Sequence, residues 1–71
     1  MEWVPINLNI PQLGKSVLVV DSKTGYMECA DFQEIEGCIC ICTIQGYGLC
    51  SDSQFTHWQF LPSPPKQKDN A

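Results

Sequence analysis

The chain is expected to be an all-β domain: a small curled antiparallel sheet or open barrel of four to five strands. Three observations carry that expectation. Cys38-Ile39-Cys40-Ile41-Cys42-Thr43-Ile44 alternates with a period of two, as a half-buried strand does. Val17-Leu18-Val19-Val20 is a mostly β-branched run bounded by turn residues, which suits a buried strand. No segment keeps a helical period over ~11 residues. An α+β variant with one short helix is the alternative.

Each element follows from local chemistry. Pro5 and Pro11 forbid a regular helix across the first dozen residues. Trp3-Val4-Pro5-Ile6 is an extended edge segment and a candidate fifth strand. Pro11-Gln12-Leu13-Gly14 is a turn, with proline fixing one angle and glycine free to take another. After the strand Val17 to Val20, the polar run Asp21-Ser22-Lys23-Thr24-Gly25 suits a hairpin connection. Tyr26 to Phe32 forms the next strand, with Tyr26, Glu28, Ala30 and Phe32 on one face and Met27, Cys29 and Asp31 on the other. Its imperfect alternation leaves the outward face open. Gln33 to Gly37 is a polar connection to the cysteine strand. Gly46, Gly48 and Ser51-Asp52-Ser53 mark a long loop. Phe55 to Leu61 is the last strand, stopped by Pro62, Pro64 and Pro65. Residues 1–65 are expected to form one domain and residues 66–71 a disordered polar tail.

The chain has 71 residues. A fold this small buries only ~60% of the surface its unfolded form exposes, so stability is marginal without a staple or a second copy of the chain. The net charge is -4, there is no arginine, and the cations are Lys15, Lys23, Lys66 and Lys68. Such a chain offers no basic patch to neutralise phosphates, which excludes direct nucleic-acid binding. No apolar run approaches the ~20 residues of a membrane helix. The opening Met1-Glu2-Trp3-Val4-Pro5 lacks the basic-then-apolar order of a signal peptide. A cytoplasmic location is therefore expected, away from membranes. Five cysteines, an odd number, argue against a complete disulfide framework.

Four constellations bear on function. In a strand, Cys38, Cys40 and Cys42 share a face at ~6.6 Å intervals, from a rise of ~3.3 Å per residue. Neighbours so spaced cannot both reach one zinc through bonds of ~2.3 Å. They are expected to pack as small buried apolar side chains, with no metal or cofactor. A cross-strand metal site with Cys29 or Cys50, and redox chemistry, are the competing readings. His57 is the single histidine and lies on the strand face opposite Trp58. Cys50 with His57 is the one available nucleophile pair, but no glycine-framed nucleophile turn accompanies it. No catalytic residue is assigned, and a chain of this length is expected to have little room for a pocket of roughly several hundred cubic ångströms. Glu28, Asp31, Glu34 and Glu36 form an acidic cluster without an intervening cation: either a solvated face or a patch for a partner. Tyr47, between Gly46 and Gly48, is the aromatic placed to join such a patch.

The two ends carry a resemblance. Trp3-Val4-Pro5-Ile6, Leu8, Ile10-Pro11, Gly14 and Val17-Leu18-Val19 resemble the opening of the domain-of-unknown-function family five-five-one, without a gap. Thr56-His57-Trp58, Leu61-Pro62 and Pro64-Pro65 resemble its close. These stretches cover somewhat under half of the chain, and the cysteine-bearing middle matches no motif of that family. The resemblance implies a small protein carried by phages and prophages, without a known activity. Its motif residues look structural, and Trp3 and Trp58 are expected to clasp the two ends together.

The leading expectation is a non-enzymatic phage or prophage accessory protein that binds a host protein and inhibits antiviral defence. Its partner-binding residues would be Glu28, Asp31, Glu34, Glu36 and Tyr47. One alternative is a small homo-oligomer that sequesters a nucleotide-like immune signal with His57, Lys15 and Tyr47. Another is a metal-binding or redox protein built on the cysteines.

Overall fold

A computed structural model describes residues 2–62 of the chain. Six strands form in order: β1 (Val4–Pro5), β2 (Val17–Val20), β3 (Met27–Ile35), β4 (Cys38–Thr43), β5 (Gly46–Leu49) and β6 (His57–Phe60). They build one antiparallel sheet in the order β1-β6-β2-β3-β4-β5, which does not close into a barrel. Among the described residues the sole helical element is a single 3₁₀ turn, Cys50–Asp52. The expected tail, residues 66–71, lies outside the described residues, as do Pro64 and Pro65.

The all-β class is as expected, but the sheet has six strands rather than four or five. The additional strand, β5, occupies part of the segment expected to be a long loop. Its cause is the two-residue connection Ile44-Gln45, which returns the chain along β4 with Thr43 opposite Gly46 and Ile41 opposite Gly48. β3 also runs further than Phe32. It continues to Ile35 because Glu36 and Gly37 make a tight reversal with φ of 53° and 81°. Two successive positive φ values are the signature of a type I′ turn, whose twist matches that of the strands it joins.

β3 is the spine of the sheet. Met27 to Ala30 pair with β2, and Asp31 to Ile35 pair with β4. Val17, Val19, Ala30, Phe32, Ile41 and Trp58 form the core, with Val4, Ile6, Ile39, Cys50 and Phe55 packed against it. The inner face of β3 is thus the Ala30 and Phe32 face. The Pro11–Gly14 turn docks on the stretch of β3 that β2 leaves uncovered, where Gly14 N–H donates to the Phe32 carbonyl at 2.8 Å. Trp58 donates its indole Nε1–H to the Asn9 carbonyl at 2.9 Å.

The ends of the sheet do meet, but not through two tryptophans. In the β1–β6 register Val4 lies opposite Trp58, and Val4 packs on the core. Trp3 precedes β1 and is not among the residues packed on the core, and the aromatic partner of Trp58 is Phe60, their ring centres 5.1 Å apart.

Candidate functional site

The period of two decides what each strand presents on its outer face. Facing away from the Phe32–Ile41 core, β3, β4 and β5 align Asp31, Cys42 and Tyr47 in one row and Gln33, Cys40 and Leu49 in the next. Cys38 opposite Ile35 makes a third row. Strand spacing of ~4.8 Å puts Asp31 and Tyr47 about 10 Å apart across this face. Gln33 Nε2 donates to the Asp31 carboxylate and orients it. Tyr47 is 69% exposed, and Ile44, at the tip of the β4–β5 hairpin, is 94% exposed. From Cys38 to Ser51 the chain carries no charged residue.

The acidic cluster does not stay together. Glu28 and Glu34 point to the inner side of β3, Asp31 to the outer side, and Glu36 occupies the turn. Glu28 and Glu34 are separated by about 20 Å along the strand at ~3.3 Å per residue. Glu28 Oε1 accepts a hydrogen bond from the Tyr26 hydroxyl at 2.9 Å, while its Oε2 is buried without a partner. That hydrogen bond, and then the Glu28 charge, raise the Tyr26 phenol above its ordinary pKa. Of the five residues expected to bind a partner, only Asp31 and Tyr47 share a row.

The cysteines depart from the expected uniform packing. Isoleucine fills the inner face of β4, so the three thiols fall on the outer face. Cys40 alone is buried there, sunk between Gln33 and Leu49; Cys42 is half-buried and Cys38 exposed. Cys29 is exposed and Cys50 half-buried. Burial, then the Asp31 charge, pushes the Cys42 thiol up; burial, then Cys40, does the same to Cys50. Thiols held protonated are poor nucleophiles at neutral pH. Among the described residues no three His, Cys, Asp or Glu side chains are grouped to hold a metal ion.

An open cleft of about 1000 Å³ lies where the β1–β6 end of the sheet approaches the 3₁₀ turn, against the expectation of little pocket space. Ile6, Ile10, Ile39, Leu49 and Phe55 give it an apolar lining, to which His57 and Cys50 add polar edges. It was not legible in the sequence, because its walls come from segments far apart in the chain. His57 does lie on the face opposite Trp58, as its parity implies, and its Nδ1 is 2.7 Å from Thr56 Oγ1. Thr56 Oγ1 also accepts from Ser22 N–H at 3.1 Å, which fixes the local backbone. Lys15 is elsewhere, 6.0 Å from the Phe60 ring centre, and Tyr47 is on the edge strand. The three residues of the nucleotide alternative are therefore not brought together.

No family model, no curated protein and no solved structure matches the chain. The resemblance of its two ends thus stands on the residues quoted for it. Among the described residues, no helix is long and apolar enough to cross a membrane.

Proposed function

We propose that this chain is a non-enzymatic binding protein that docks a host protein on the outer face of β3, β4 and β5. The carrying observation is Tyr47: largely exposed, on an uncharged hairpin, in one row with Asp31. A tyrosine presents a large rigid surface with a polar tip and loses little rotamer freedom on binding, which is why interfaces are rich in it. Asp31 adds a fixed charge that selects a partner with a complementary cation. Burial, which pushes the Cys42 and Cys50 thiols up and so makes them weaker nucleophiles, supports the non-enzymatic half of the reading. The resemblance of the ends supports an origin in a phage or prophage, and with it a role against host defence in the bacterial cytoplasm.

The nucleotide alternative receives less support, since among the described residues no lysine lines the cleft. A test of the main reading is affinity capture from bacterial lysate with the wild type and Tyr47→Ala in parallel. The expected result is one host protein retained by the wild type and lost by the variant. Identical sets of captured proteins would refute the assignment of Tyr47, and empty captures at physiological salt would refute the binding reading itself.

A further inference from the structure

The two edges of the sheet are guarded unequally. An open edge strand exposes unpaired backbone groups, and natural sheets protect such edges with proline, charge or brevity. β1 has two residues, one of them Pro5. β5 has four exposed residues, Gly46-Tyr47-Gly48-Leu49, with neither proline nor charge. Among the described residues, no other segment bonds to its outer side.

The register shows which groups are unpaired. Thr43 and Gly46 flank a two-residue connection, so they are a mutually bonded pair, and alternation makes Ile41 and Gly48 the next one. The N–H and C=O groups of Tyr47 and Leu49 therefore point away from β4. These four groups on one strand are the complement of the same four on an antiparallel copy of that strand.

We propose that β5 pairs with β5 of a second copy of this chain, across a twofold axis at Gly48. In this register Tyr47 exchanges two hydrogen bonds with Leu49 of the partner subunit, and Leu49 exchanges two with Tyr47 of the partner subunit. Gly48 then faces its own equivalent as the closely spaced, non-bonded pair. The charge-free stretch from Cys38 to Ser51 is what selects a second copy as the occupant. A chain of net charge -4 can approach itself most cheaply along an uncharged hairpin. The arrangement also gives Gly48 a place. Its φ is not positive and a Cβ there would meet nothing within 4 Å, so neither conformation nor packing within one chain requires glycine. Glycine inside a strand often marks the close approach of another backbone. The axis stands perpendicular to the sheet, so both copies present their Asp31 and Tyr47 faces on the same side.

The test is sedimentation equilibrium of the full chain over a wide concentration series, and it needs no host protein. It can therefore fail independently of the host-binding reading. The wild type is expected to move from 8.0 kDa toward twice that mass as concentration rises. Leu49→Pro removes one outward N–H at a residue whose φ is already -60°, the value proline imposes, and is expected to stay monomeric. Leu49→Ala keeps the N–H and is expected to associate. Gly48→Glu places two carboxylates across the axis and is expected to be monomeric, with circular dichroism of both variants reporting a folded sheet. If one variant unfolds, the other decides. A wild type that remains monomeric throughout would overturn the proposal. So would association of the folded variants like the wild type, or loss of association in Leu49→Ala to the same extent as in Leu49→Pro.

Discussion

Tyr26 and Glu28 show how one contact sets a titration. Tyr26 immediately precedes β3 and Glu28 lies within it, and the phenol donates to the carboxylate at 2.9 Å. Ionising the phenol breaks that bond and places two negative charges side by side, so the pKa is raised above 10.0. Folding thus favours the protonated phenol. Its contribution is present below the unfolded pKa near 10 and is lost as pH rises through the folded value. Glu28→Gln removes the charge while leaving an oxygen to accept the bond. The expected outcome is a downward shift of one tyrosine in a spectrophotometric titration, with the other unmoved. An unchanged titration would show that Glu28 is not the cause. The Cys42 and Cys50 thiols obey the same rule with a different leading cause, since burial comes first for both.

At the scale of elements, the β3–β4 hairpin depends on a turn that places a non-glycine residue at positive φ. Glu36 sits at 53°, where glycine is favoured because it has no Cβ, and asparagine and aspartate because their short polar side chains hydrogen-bond locally. Glu36→Asn is expected to stabilise the fold by about 0.5 kcal/mol, seen as a higher urea midpoint with an unchanged slope. A lower midpoint would mean that the Glu36 side chain contributes more than its backbone costs. That turn also shows what the sequence could tell. β2 and β4 were legible, because a β-branched run and strict alternation depend on nothing outside themselves. β5 was not, since Gly46 and Gly48 carry loop propensity and become strand only through their register with β4. Propensity there yields to tertiary pairing. The candidate site was half legible. Tyr47 declared itself by its flanking glycines, whereas Asp31 reaches the same row only through two registers that span three strands. The acidic cluster misled for a related reason: closeness in sequence along a strand alternates faces and so divides the charge. The cysteines misled in turn, because alternation told that they share a face but not that isoleucine would claim the core.

The whole molecule is a sheet with a thin core. Only Phe32, Val17 and Val19 are fully buried large side chains among the described residues, and the total stability of so small a fold is of order 5 kcal/mol or less. Pairing between β5 edges therefore matters to more than geometry. A partner that binds the folded chain and not the unfolded one stabilises by mass action, and for a self-associating protein that stabilisation grows with its own concentration. At a total concentration about a hundredfold above the dissociation constant, where the free chain is only about sevenfold above it, the gain is about 1.6 kcal/mol per chain, still a large fraction of the total for this domain. For a chain of this length each 1 kcal/mol moves the midpoint by roughly 4–8 °C. The wild type should melt at a temperature that climbs through several degrees as its concentration is raised across the association range. Leu49→Pro should melt at one temperature throughout, close to that of the dilute wild type, because its altered backbone leaves the β4–β5 pairs intact. Calorimetry of both proteins at matched concentrations separates the two sources of stability. Parallel, flat melting curves would place all of it within the single chain, and would leave the bare β5 edge open to a partner of another sequence.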